Sequence, residues 1–104
     1  KAAVILGDQF DIEIIEKHHN KKIDAPSGTA LMIADGICEV LDRTMHYEYD
    51  RHSQRKKRDK NEIGLHAVRG GTIVGEHEGL FAGHHETFSD PCGPIKRSVC
   101  NRFY

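Results

Sequence analysis

The sequence predicts an α+β domain in which a mostly antiparallel or mixed β-sheet carries helices on one face. Three observations point there. Phe10-Asp11-Ile12-Glu13-Ile14 alternates apolar and charged residues, the period of a half-buried strand. Ala30, Leu31, Ala34, Ile37, Cys38 and Leu41 recur at helical spacing. Beyond Glu62, short β-prone stretches follow one another around a glycine pair.

The first strand runs on through Ile15 and Glu16 toward His18-His19, so the histidine pair sits at or just past the strand's C-terminal end. Asp24-Ala25-Pro26-Ser27-Gly28 is loop chemistry. The helix is predicted to start near Ser27 to Thr29 and to fray near Asp42 to Thr44. Tyr47 to Glu62 is highly charged, centred on Arg55-Lys56-Lys57-Arg58-Asp59-Lys60. With no interleaved aromatics, this run reads as a solvated loop rather than a polyanion site. Ile63 to Val68 then reads as a strand, Arg69-Gly70-Gly71-Thr72 as a tight turn, and Thr72 to His77 as the antiparallel partner strand. Leu80-Phe81-Ala82 is a third strand or a continuation. From Phe88 the pattern degrades. Ser89-Asp90-Pro91-Cys92-Gly93-Pro94 is expected to break any strand, and Ile95 to Tyr104 shows no clear period.

The 104 residues suffice for one domain, taken as 1–104, with a modest core. Fifteen basic and 16 acidic residues leave a formal net charge of −1, which argues against a general nucleic-acid or membrane-surface binder. No apolar run is long enough to span a bilayer. The opening KAAVILGDQF lacks a signal peptide's h-region and an initiator Met, so the chain reads as an excised domain or fragment. Cys38, Cys92 and Cys100 are widely spaced and form no C-x-x-C pair. They are expected to be free thiols in a reducing, cytoplasmic setting.

The chemistry is concentrated in Glu16 to Ala30, EKHHNKKIDAPSGTA. Pro26-Ser27-Gly28-Thr29 opens a helix. The first backbone N–H groups of a helix have no internal partner, and the macrodipole adds positive charge at that end. Gly28 admits a ligand close to the backbone, and the Ser27 and Thr29 hydroxyls can cap the helix or donate to the guest. A carboxylate or phosphate is the natural occupant, with an ordinary Ser/Thr cap as the plain alternative. His18 and His19 are adjacent, so on extended chain they face opposite ways and only one points into a given cleft. Lys22 lies a turn further on. Imidazole and ammonium beside a helix N-terminus make a cationic pocket able to hand over a proton. Metal ligation by the histidine pair is the competing reading, but no H-E-x-x-H or comparable spacing accompanies it, so no metal is assigned. Arg69 before Gly70-Gly71 can fork onto a carboxylate, although a surface arginine is the commoner outcome. His77 is open between a strand-edge and a cleft position.

These residues resemble a known family. Glu16 to Ala30 meets every fixed position of E-x-H-H-x-x-K-x-D-A-P-S-G-T-A, the signature of dihydrodipicolinate reductase, the 4-hydroxy-tetrahydrodipicolinate reductase of diaminopimelate and lysine biosynthesis. Gly64 to Gly71 with Val74-Gly75-Glu76-His77 is similar to a second family block, and the resemblance covers roughly Lys1 to Phe88. It implies a two-domain enzyme using NADH or NADPH. In that family an N-terminal Rossmann domain binds the cofactor, and a C-terminal domain binds the substrate and assembles a homotetramer. This chain resembles the second domain only, since no G-x-G-x-x-G follows a strand. Its own N-terminal domain and further copies are therefore the implied partners. Carried over by motif, His18 is the acid/base, Lys22 the proton donor, and His19 a substrate contact. Ser27, Gly28 and Thr29 hold a substrate carboxylate, and Arg69 is expected nearby. Asp90 to Tyr104 departs from the family's closing strand and helix. The isolated chain is expected to bind a dicarboxylate without turning it over. The competing class is a non-enzymatic anion- or metal-binding assembly module.

Overall fold

A computed structural model describes residues 9–92. Five strands form one mixed sheet in the order β2-β3-β1-β4-β5. They are β1 (Asp11–His18), β2 (His46–Glu48), β3 (Glu62–Arg69), β4 (Glu76–Ala82) and β5 (Thr87–Cys92), with one helix, α1 (Gly28–Val40), among the described residues. The predicted α+β class holds, and the mixed form of the sheet is the observed one. β1 pairs parallel with β3, which pairs parallel with β2, while β1–β4 and β4–β5 are antiparallel.

β1 lies at the centre because its alternation serves two neighbours. Ile12, Ile14 and Glu16 face inward, and the residues between them face the other side of the sheet. Parallel pairing of β1 with β3 requires a crossover, and α1 supplies it. Its Ala30, Ile33, Ala34 and Ile37 fall on one stripe and are buried against Ile12, Ile14, Ile63, Leu65 and Phe81. Full burial of each isoleucine contributes about 1.5–3 kcal/mol. The helix therefore covers the sheet's inner face and delivers its N-terminus to the C-terminal end of β1.

Two expectations are corrected here. Ile63–Val68 and Thr72–His77 do not form a hairpin, because β1 lies between β3 and β4. The segment 70–75 is instead a loop arching over the end of β1, held by Gly70 N–H to the His18 carbonyl at 3.0 Å and by Asn20 N–H to the Gly71 carbonyl at 3.1 Å. Ile73 and Val74 have strand-like side chains, but Val74 is 78% exposed. β4 begins only at Glu76, and its buried alternation runs through His77, Gly79 and Phe81, two of which carry no apolar side chain. The hairpin in the sheet is β4–β5, turned at 83–86.

The second correction is β5. Pro91 was expected to break any strand, yet β5 runs through it. β5 is one of the two outer strands, and an outer strand can lack a ladder donor on its free side. Ile95 to Tyr104 lies outside the described residues, as do Lys1 to Asp8 and Cys100. Cys38 is a free thiol.

The charged stretch after β2 is only partly a solvated loop. Arg55, Lys57 and Lys60 are exposed, but Arg51 and Arg58 reach back to the outer face of the sheet. Arg51 forks onto Glu13 at 2.7 and 2.8 Å and bonds Glu62 at 2.7 Å. Arg58 meets Glu13 at 2.9 Å and the Ile12 and Glu62 carbonyls at 2.7 and 2.9 Å. Two arginines of this charged stretch are thus bound to carboxylates of the sheet rather than left to solvent.

Candidate functional site

The end of β1, the start of α1 and the end of β3 meet at a buried carboxylate. Glu16 is fully enclosed, at 0% exposure. Its Oε2 accepts the Ser27 backbone N–H at 2.6 Å and an Arg69 Nη2–H at 3.1 Å. Its Oε1 accepts from Arg69 Nη1 and lies 3.3 Å from His18 Nδ1. Burial alone would raise this carboxyl's pKa, but Arg69, the Ser27 amide and His18 together outweigh it and hold the value at about 2. An ionised carboxylate only accepts, so this contact is a hydrogen bond when His18 carries its hydrogen on Nδ1, which makes Nε2 the acceptor of the neutral ring.

Ser27 caps α1 as its sequence predicts, with Oγ accepting the Ala30 N–H at 3.1 Å. Leu31 N–H returns to the Ser27 carbonyl, so the Gly28 and Thr29 N–H groups are left without an intrahelical acceptor. Space above Gly28 is open, with nothing within 4 Å of an added Cβ. An anion can therefore reach two main-chain amides at the positive end of a helix thirteen residues long.

His77 closes the inner wall. Its Nε2 lies 3.1 Å from Ser27 Oγ, and its ring meets His18 edge to face at 5.3 Å. Burial and the neighbouring His18 push its pKa down, which keeps it neutral at physiological pH. His77 is thus a buried residue of β4, packed against Ser27 and His18. Gly75 roofs His18, with φ at +146° and an added Cβ only 3.2 Å from His18 Nε2.

The structure places the other sequence-predicted residues around this centre. Lys22 bonds Asp24 at 2.9 Å on the loop leading into Ser27, and its ammonium holds the Asp24 carboxyl below its usual range. Thr29 is half-buried on the first turn of α1. His19 is exposed, with Nδ1 accepting the Lys21 N–H at 3.2 Å, so it faces away from His18 as adjacent residues at a strand end should. Arg69 does fork onto a carboxylate, but an internal one. Its Nη groups are engaged by Glu16, the Val68 carbonyl at 2.9 Å and the Asp24 carbonyl at 2.7 Å. Its Nε is buried without a partner among the described residues.

Glu16, His77 and Gly75 were not assigned roles by sequence reasoning. Glu16 could have been found, because the period that buries Ile12 and Ile14 also turns Glu16 inward, and a buried carboxylate demands partners. Among the described residues no group of three or more His, Cys, Asp or Glu side chains is arranged to hold a metal ion. No helix there is long and apolar enough to cross a membrane.

The chain is similar to known proteins. The family model described as "Dihydrodipicolinate reductase, C-terminus" matches residues 1–96. The 4-hydroxy-tetrahydrodipicolinate reductase of Caldanaerobacter subterraneus subsp. tengcongensis is 60% identical over 89 residues, covering 86% of this chain and 36% of that protein. The Clostridium tetani enzyme of the same name is 54% identical over 97 residues, covering 93% and 36%. The chain thus spans about a third of the length of the curated relatives it matches. A solved dipicolinate-bound dihydrodipicolinate reductase from Paenisporosarcina sp. TG-14 superposes with a TM-score of 0.66 at 29% identity, covering 97% of this chain and 40% of that one.

Proposed function

The chain belongs to the family of dihydrodipicolinate reductase C-terminal domains, and from that premise we propose that it is the substrate-binding and oligomerisation domain of a 4-hydroxy-tetrahydrodipicolinate reductase. In this reading it acts in the cytoplasm, in diaminopimelate and lysine biosynthesis, within a homotetramer. The substrate is a cyclic imine carrying two carboxylates.

One observation carries the proposal: two open amides at Gly28 and Thr29 stand beside His18, joined to it through Glu16 and Ser27. A carboxylate seated on those amides and the Thr29 hydroxyl is held by the helix dipole and by charge-assisted bonds. Lys22 can turn to serve it, because its partner Asp24 is exposed and an ion pair open to water exchanges partners at little cost. Lys22 delivers the proton, and His18 acts as acid/base through Nε2, which lies beneath Gly75. His19 reaches substrate from the exposed side. Arg69 adds positive charge from behind Glu16.

The described residues contain no glycine-rich strand-to-helix turn of the kind that holds a dinucleotide, so NADH or NADPH is assigned to a separate N-terminal domain, where it would supply a hydride. This chain's residues bind, orient and move the proton.

Calorimetry with pyridine-2,6-dicarboxylate tests the reading. The chain should bind it, and Lys22→Ala should weaken binding about tenfold, the equivalent of one charge-assisted hydrogen bond. Gly28→Val should abolish binding without lowering the melting temperature, since the added side chain meets only open space. Tight zinc binding that needs His18 and His19, with no dicarboxylate bound, would establish the metal-binding module instead. Unchanged binding by Gly28→Val would remove the amide cradle.

A further inference from the structure

We propose that Glu16 and Arg69 are the positioning pair of this site, which locks the His18 tautomer and holds the carboxylate cradle in register with it; this rests on the reductase reading above. Neither side chain is placed to touch the substrate. Glu16 is fully enclosed, and the Arg69 Nη groups are engaged within the protein. Their contacts instead run to His18, to Ser27 at the start of the cradle and to Asp24 beside Lys22.

Glu16 Oε2 holds the Ser27 N–H at 2.6 Å, one residue ahead of the two open amides. Glu16 Oε1 faces His18 Nδ1 at 3.3 Å. One carboxylate therefore sets both the position of the helix start and the hydrogen on the imidazole. Arg69 extends the same hold to the loop bearing Lys22, through the Asp24 carbonyl at 2.7 Å. These parts come from β1, the 19–26 loop, α1 and β3, which no local turn would keep aligned. A neutral amide at position 16 would meet donors from Ser27, Arg69 and His18 with a single acceptor oxygen. At least one donor would then be unmatched, and His18 would lose the reason to keep hydrogen on Nδ1.

The charge also matters to Arg69. Removing the carboxylate alone strands a guanidinium in a largely enclosed setting, which can unfold the chain. The double variant Glu16→Gln/Arg69→Met leaves no lone charge and serves as the second probe.

The experiment is nitrogen-15 NMR of the histidine rings of the whole chain, combined with calorimetry using pyridine-2,6-dicarboxylate and with thermal melting. In the unsubstituted chain, neutral His18 should be the Nδ1–H tautomer. In Glu16→Gln, or in the double variant where the single one unfolds, His18 should become a tautomer mixture and affinity should fall at least tenfold. A merely structural role would lower the melting temperature and leave the His18 tautomer unchanged. The pairing idea is overturned if His18 in the unsubstituted chain is the Nε2–H tautomer, or if a folded variant keeps both tautomer and affinity. An unsubstituted chain that binds no dicarboxylate, yet shows His18 as the Nδ1–H tautomer, overturns the reductase reading while leaving the Glu16–His18 link standing.

Discussion

Gly75 shows how a single backbone position can hold a side chain of the candidate site in place. Its φ of +146° lies where only glycine is at ease, and an added Cβ would press on His18 Nε2 at 3.2 Å. Gly75→Ala is therefore expected to destabilise the chain by on the order of 1–3 kcal/mol and to displace the His18 ring. Thermal melting checks the first effect, and a shift of the His18 ring resonances with His77 following it checks the second. Unmoved His18 resonances would show that the roof is not in contact. Residues of this kind divide by whether their partner is near in sequence. The Ser27 cap was legible because a cap acts on its own helix, three residues away at most. Arg69 was legible as a carboxylate-binding residue, but its carboxylate is Glu16, 53 residues distant, and no local pattern names such a partner. Gly75 was legible only as part of a motif block, because a close approach is a property of the folded chain.

At the level of elements, the outer face of the sheet is organised by the pairing of β1 with β3. Glu13 lies opposite Gly64 in the parallel register. With no Cβ at 64, the Glu13 carboxylate lies over the strand, where Arg51, Arg58 and His66 converge on it. An added Cβ would fall 2.2 Å from Glu13 Oε1. Gly64→Ala should evict the carboxylate, break its bonds to both arginines, and destabilise the chain by about 1–3 kcal/mol. Because those arginines tether the segment between β2 and β3, trypsin should also cut faster at Arg55 to Lys57. Equal cleavage rates would show that the tether lies elsewhere. β1 and α1 were readable because their apolar periods are long and regular. β2 was hidden by its three-residue length, and the β3–β4 connection by the apolar Ile73-Val74 pair. Adjacency was the harder problem: glycine pairs favour a turn, but whether the chain returns beside the same strand or beyond its neighbour depends on β1, which is remote in sequence.

For the whole molecule, the two carboxylates on opposite faces of β1, with Glu62 acting in the same sense, shape how stability follows pH. Glu13 and Glu16 both have pKa values lowered from 4.5 to about 2, because arginine, histidine and, at Glu16, a main-chain amide outweigh the effect of burial. A carboxyl whose pKa is depressed in the folded state stabilises that state above its unfolded value and loses the contribution as pH falls toward the folded value. After screening by solvent, each shift stabilises the folded chain by on the order of 1–3 kcal/mol at neutral pH. His77 acts in the same sense at higher pH. Its folded pKa lies below 6.5, so the unfolded chain takes up a proton first and stability begins to decline there. Denaturant unfolding followed from pH 8 to pH 2 should thus show a plateau, a shallow decline beginning near pH 6.5, and a steeper one below pH 4.5. Glu13→Gln should be less stable at neutral pH and should flatten the lower decline while leaving the upper one intact. A chain equally stable at pH 7 and pH 3 would mean that these carboxylates are no better solvated by the fold than by water. In that case Glu16 would not be the charged centre on which both the amide cradle and His18 depend.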